Sequence, residues 1–181
     1  MRVLRVSLPF TAFILMFLLM ACPSKSTNFS TVWKDETYQG RPGKILVVSA
    51  FPDPVTRKIF EDEFVKELKD RGMDAVPSYT FMPDLVVSDK DAIAVEAKGV
   101  GADTLLINIS RDATQLDKFV AGGQIGDWYI HIQTDVYNIK SQRSIMNVSA
   151  VVHIVTDKTR TDQIQSYIKD LVNMLSQHKL L

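Results

Sequence analysis

The chain has 181 residues, 21 basic and 21 acidic side chains, no formal net charge, 46% hydrophobic residues and a single cysteine. That length suits one domain, and this much apolar content excludes a disordered chain. One cysteine excludes a disulfide framework and a cysteine-based zinc site, and balanced charge argues against a nucleic-acid surface.

Residues 1–21 read as a signal peptide. Arg2 and Arg5 precede an almost wholly apolar run from Leu8 to Ala21, shorter than the about 20 apolar residues of a comfortable bilayer span. Leu19-Met20-Ala21-Cys22 resembles the bacterial lipobox, with leucine at −3, a small residue at −1 and the obligatory cysteine at +1. Met20 is bulkier than the usual residue at −2. The resemblance implies cleavage before Cys22, a diacylglycerol thioether on its sulfur and acylation, palmitate included, of the freed amine. Two or more acyl chains, at about 0.8 kcal/mol per buried methylene, anchor a protein stably where one does not. Similar lipoproteins stay in the inner membrane through Asp at +2. Pro23 stands there instead, which implies the periplasmic face of the outer membrane of a Gram-negative bacterium.

Residues 22–43 then read as the lipidated cysteine and a flexible tether. Pro23 to Gly43 is polar, broken by Pro and Gly, and without helix or strand period; as a coil it would span roughly 25 Å. Trp33 and Tyr38 stand out within it, either as a clasp on the domain or as partner-facing or membrane-interface side chains.

Residues 44–181 read as one α/β domain. Lys44 to Ala50 is a short apolar run suited to a central strand buried on both faces. Asp53-Pro54 is a helix start. Ile59, Phe60, Phe64 and Leu68, with Val55 ahead of them, form its apolar face, and Gly72 can close it in the left-handed conformation. The acidic run Glu61-Asp62-Glu63 reads as a solvated helix face. Asp74 to Met82 reads as a second strand, an edge strand because Pro77 lacks a ladder donor. Ser88 and Asp91 resemble a capping box before a short helix through Ala97, and Thr104 to Ser110 is the third strand. Arg111 to Asp127 is irregular. Trp128–Ile139 and Ile145–Val155 both alternate and predict an antiparallel hairpin with one wet face. Its apolar rows are Ile130, Ile132 and Val136, and Met146, Val148, Ala150, Val152 and Ile154. With no bulge, a three-residue loop Ser141 to Arg143 would set His131 opposite His153. A helix over about Asp162–His178 follows, with Thr159 and Asp162 at its start and Ile164, Ile168, Leu171 and Leu175 as its core stripe. The expectation is thus an α/β fold: a single mixed sheet of about five strands, in the order β-α-β-α-β-β-β-α with one irregular segment, packed with helices.

No catalytic constellation assembles from the sequence. The turn Ala50-Phe51-Pro52-Asp53-Pro54 has no glycine, two prolines without N–H and a carboxylate where a phosphate would sit, which disfavours a nucleotide. Ser49 and Ser110 lie near strand ends, where open sheets place ligands, but no G-x-S-x-G elbow surrounds either. His131 and His153 are too few for a closed metal site. Neither cofactor nor metal is expected. Gly122, Gly123 and Gly126 read as a mobile loop, with partner docking as the functional alternative. Tyr129, His131, Gln133, Tyr137 and His153 on the hairpin's wet face mix aromatic, imidazole and amide groups without strong charge. Such a surface favours protein contacts, a merely solvated sheet face being the plain alternative.

The strand KILVVSAF, the helix end KDRGMDAVPSYTF, the segment GADTLLINI and the strand-turn-strand VYNIKSQRSIMNVSA follow one another behind a lipobox. In that order they resemble the bacterial envelope lipoproteins whose domain is similar to the TolB amino-terminal domain and to the periplasmic domain of the CsgG secretion lipoprotein. The resemblance covers most of residues 44–178. It implies a docking, assembly or regulatory part without catalysis; the pore-forming insertion of alternating strands is missing. The leading expectation is a lipid-anchored periplasmic adaptor, tied to the membrane through Cys22 and docking another envelope protein. The alternatives are a small-molecule or carbohydrate binder or a hydrolase using the strand ends and the 111–127 loop, and a self-assembling subunit.

Overall fold

Every interior residue of Lys44–Ala50 is apolar or small, so this strand can only be stable with both faces covered. In the computed structural model, which describes residues 27–51, 53–85, 90–110, 128–154 and 159–181, it is an inner strand of one six-stranded mixed sheet. The strands are β1 (Thr27–Lys34), β2 (Lys44–Ala50), β3 (Asp74–Pro77), β4 (Thr104–Ser110), β5 (Trp128–Asn138) and β6 (Arg143–Ile154). The helices are α1 (Pro54–Asp70), α2 (Lys90–Gly99) and α3 (Arg160–Gln177). Strand order is β1-β6-β5-β4-β2-β3. β2 is parallel to β3 and β4, and the other pairs are antiparallel. None of the helices among the described residues is long and apolar enough to cross a membrane.

The helix boundaries follow their local signals. Asp53 accepts from Thr56 N at 2.7 Å, and Pro54 occupies the first turn, where its missing N–H costs nothing. At the other end Gly72 takes φ +77°, which lets Met73 N bond Leu68 O and Gly72 N bond Lys69 O. Thr159 caps α3 by accepting from Asp162 N, while its own hydroxyl donates to the Asp162 carboxylate at 2.6 Å. α1 and α3 bury Phe60, Phe64, Leu68, Tyr167, Ile168, Leu171 and Leu175 on one face of the sheet. α2 covers a smaller cluster on the other face, around Leu46, Val48, Leu105 and Ile107, with Ile93 and Ala97.

Several expectations are corrected. The segment expected as a tether contributes β1, which supplies the sixth strand. β1 pairs antiparallel with β6, and Phe29 packs on the core. TNFSTVWK forms a strand along the outer edge of β6, which offers it ladder partners on both sides of an irregularity between Phe29 and Thr31. The second strand stops at Pro77, which lacks the N–H to continue, and Ser78–Thr80 turns as a single 3-10 turn. β3 is an edge strand, as expected. α2 runs to Gly99; the proposed cap at Ser88 lies outside the described residues, as do Gly122, Gly123 and Gly126. Val55 is 59% exposed, off the buried stripe of α1.

The hairpin register also differs. His131 faces Val151 and His153 faces Tyr129, a shift of two residues from the expected pairing. The parity survives, so the apolar rows stay inward. A bulge between Val136 and Tyr137 absorbs an extra residue on β6 and lets Ile145 and Met146, neighbours in sequence, both enter the core.

Asp35 closes β1 against the β5–β6 turn. Its main-chain N donates to Ile145 O, and its carboxylate accepts from Thr37 N at 2.9 Å, Thr37 Oγ1 at 2.6 Å and Arg143 at 3.2 Å. The bonds from Thr37 hold the Asp35 carboxyl below its ordinary value of 3.8, with Arg143 adding to them against partial burial. A depressed carboxylate adds stability above its unfolded-state pKa and loses it as pH falls through the folded value. Asp35→Asn is therefore expected to be less stable than the native chain at neutral pH. The gap should close on acidification below about pH 4, read as urea midpoints across pH. A gap independent of pH contradicts this.

Candidate functional site

The helix α1 buries Arg57, Phe60, Glu61, Phe64, Val65 and Leu68, a complete helical stripe with two charges inside it. Glu61 is 0% exposed. It accepts from Arg57 Nε at 3.1 Å, Ser78 Oγ at 2.8 Å, Tyr79 N at 2.9 Å and Ser49 N at 2.9 Å. Arg57 spends its other donors on Ser78 Oγ and on the carbonyls of Met82 and Pro83. The pair thus clamps the end of β2, the 3-10 turn and residues 81–83 around the first turns of α1. This overturns the reading of Glu61 as part of a solvated acidic face; Asp62 next to it does face outward and pairs with Lys58.

Beside this clamp a row of polar side chains crosses the same core face. Ser49 on β2 pairs in register with Asn108 on β4, which pairs with Thr134 on β5. Thr134 Oγ1 donates to Asn108 Oδ1 at 2.8 Å and lies 3.3 Å from the Tyr167 hydroxyl of α3. Burial pushes the Tyr167 hydroxyl well above its ordinary value, against the hydrogen bond with Thr134, so it stays a neutral phenol. Ser49 Oγ and Asn108 Nδ2 are buried without a hydrogen-bond partner among the described residues. Thr134→Val is expected to cost about 1–3 kcal/mol by leaving Asn108 Oδ1 unsatisfied, whereas Ser49→Ala should gain about 1 kcal/mol by removing an unpaired buried hydroxyl. Denaturant unfolding of the two variants checks both signs.

The third feature is the outer half of the sheet. On the face opposite α1 and α3, α2 covers β2 and β4, and no described helix covers β5, β6 and β1. His131 is exposed there, and Gln133, Asn147, Ser149, Val151 and His153 are half-buried. Trp33 of β1 lies in register with Asn147 and is 49% exposed. Tyr137 lies on this face too but packs on the α2 cluster, beside Leu105. Asp135 is also buried, accepting from Ser144 Oγ. His131 and His153 are diagonal neighbours rather than a facing pair. Among the described residues no group of three or more His, Cys, Asp or Glu is placed to hold a metal ion. The cleft between α1 and α3, about 170 Å³, is lined chiefly by charged side chains, among them Glu63, Lys66 and Lys169. It is smaller than the roughly 300–1,000 Å³ of usual ligand sites.

Sequence reasoning missed the clamp and the polar row. The signals were present: Arg57 and Glu61 have the i, i+4 spacing of a helical pair and fall on the apolar stripe. Asn108 interrupts an otherwise apolar strand.

No family model matches the sequence, and no curated protein matches it. Solved structures do match in fold. The PelC dodecamer from Paraburkholderia phytofirmans superposes with a TM-score of 0.56 at 9% identity, covering 82% of this chain and 96% of that one. The chain shares the fold of PelC. Lipoprotein GNA1162 from Neisseria meningitidis matches with a TM-score of 0.47 at 14% identity, covering 75% of this chain and 99% of that one.

Proposed function

We propose that the protein is a lipid-anchored envelope lipoprotein, without catalysis, whose α/β domain docks a second envelope protein. The observation that carries this reading is the outer half of the sheet: β5, β6 and β1 present an aromatic, imidazole and amide surface that no described helix covers. Neutral polar and aromatic surfaces of this kind suit protein contacts. The lipobox at Cys22 supports an envelope location, and Pro23 supports the periplasmic face of the outer membrane. The resemblance of its sequence segments to the TolB and CsgG domains supports an adaptor role. The test is a photo-crosslinking residue placed at His131 or Gln133 in living cells, with Val95 on the outside of α2 as control. A discrete crosslinked envelope protein at 131 and 133 but not at 95 is the expected result. Equal labelling at all three positions sinks the reading.

Self-assembly is a second reading, favoured by the fold shared with a dodecameric protein and by β1, whose outer edge has no strand beside it among the described residues. In that case the crosslinked partner is another copy of this chain, and the purified protein sediments as an oligomer.

A further inference from the structure

The strand β1 changes the geometry of the anchor. With residues 23–43 as a coil, the domain would hang freely below its lipid. With β1 starting at Thr27, five Cα–Cα steps separate Cys22 from the fold, and they reach at most about 18 Å when fully extended.

The sheet register tells which end of the domain this brings to the membrane. Thr27 pairs with Val152, Val152 with Ile130, and Ile132 with Ser110; β4 runs parallel to β2. The start of β1 therefore lies at the end of the sheet where β2 and β4 finish and α1 begins. That end carries two of the large apolar side chains that the fold leaves outside. Val55, in the first turn of α1, is 59% exposed, and Phe81, just after the 3-10 turn, is 47% exposed. The Arg57–Glu61 clamp holds them together: Arg57 bonds the carbonyls of Met82 and Pro83, and Glu61 bonds Ser78 and Tyr79. β1 and β3 are the two edges of the sheet. At about 4.8 Å per strand, the lipidated edge and the Phe81 edge stand roughly 24 Å apart, a two-point footing.

We propose that the strand-end face bearing Val55 and Phe81 rests on the phospholipid leaflet that holds the Cys22 acyl chains, standing the sheet upright with the β5–β6 turn pointing away. This rests on the lipid anchor of the proposed function and names the surface that meets the bilayer.

The test uses the full lipidated chain in vesicles of phosphatidylethanolamine and phosphatidylglycerol. Nitroxide labels are placed through Val55→Cys, Phe81→Cys or Lys140→Cys, the last in the exposed β5–β6 turn. Thioether-linked Cys22 does not take the label. Labels at 55 and 81 are expected to collide more with membrane-dissolved oxygen than with a water-soluble nickel chelate, and the label at 140 the reverse. Adding Phe81→Asp to the Val55→Cys chain should move the label at 55 toward water. If the protein floats with the vesicles while all three labels are equally water-exposed, the anchor stands and the footing is overturned. Failure to float, with an unmodified Cys22 by mass spectrometry, overturns the anchor and the footing with it.

Discussion

Glu61→Ala is expected to destabilise the domain by about 3–5 kcal/mol, a large share of the roughly 5–15 kcal/mol that holds a domain folded. The size follows from what is stranded. Arg57 keeps its charge in a site where it is 7% exposed, and its nearest countercharge is gone. Ser49 N and Tyr79 N also lose their acceptor, and each unsatisfied buried group costs about 1–3 kcal/mol. Glu61→Gln should fall between the native chain and alanine, because a side-chain oxygen remains to accept. Asp62→Ala provides the contrast. The Lys58–Asp62 pair has the same helical spacing but is 56% and 42% exposed, and exposed pairs are worth about 0–1 kcal/mol. Urea unfolding of the three variants tests the order. A Glu61→Ala loss no larger than that of Asp62→Ala contradicts the clamp. The loss should also loosen residues 78–83, seen as faster amide exchange at Tyr79, whose N–H bonds Glu61 directly.

Cys22→Ala is expected to move the protein from the membrane to the soluble fraction while leaving its thermal midpoint unchanged. Anchoring by two or more acyl chains is a sum of about 0.8 kcal/mol per buried methylene, and the only thiol able to carry them is Cys22. The domain should hold, because its two core clusters are built from residues beyond Thr27. Vesicle flotation, mass spectrometry of the amino-terminal peptide and a thermal melt give the three readings. A Cys22→Ala chain that still floats contradicts the anchor.

The elements that were legible in the sequence carry their signals within a few residues. β2 and β4 are near-continuous apolar runs, and the start and stop of α1 are written in Asp53-Pro54 and Gly72. Thr159 opens α3, and the alternation of β5 and β6 sets which face is buried. Period-two patterning named the outer-facing row of the hairpin only in part, since Asp135 is buried and Tyr137 packs on the α2 cluster. His131 is exposed and Gln133 and His153 are half-buried.

What escaped depends on residues far apart in the chain. TNFSTVWK carries strand-favouring Thr, Phe, Val and Trp but no apolar alternation; the edge of β6, more than a hundred residues later, gives it ladder partners. Glu61 is buried because the 3-10 turn and the end of β2 bring amides and a hydroxyl to its carboxylate. A helix read alone sees only a charge to be solvated. The longer turn, residues 139–142, moves the histidines out of the expected pairing, and the bulge that places Ile145 and Met146 side by side in the core restores the inward parity. Hydrophobic period and capping chemistry are local, so composition and order determined the α/β class, the helix ends and the inward rows. Edge pairing, buried charge and strand register are settled by which surfaces meet, and only the tertiary structure decided them.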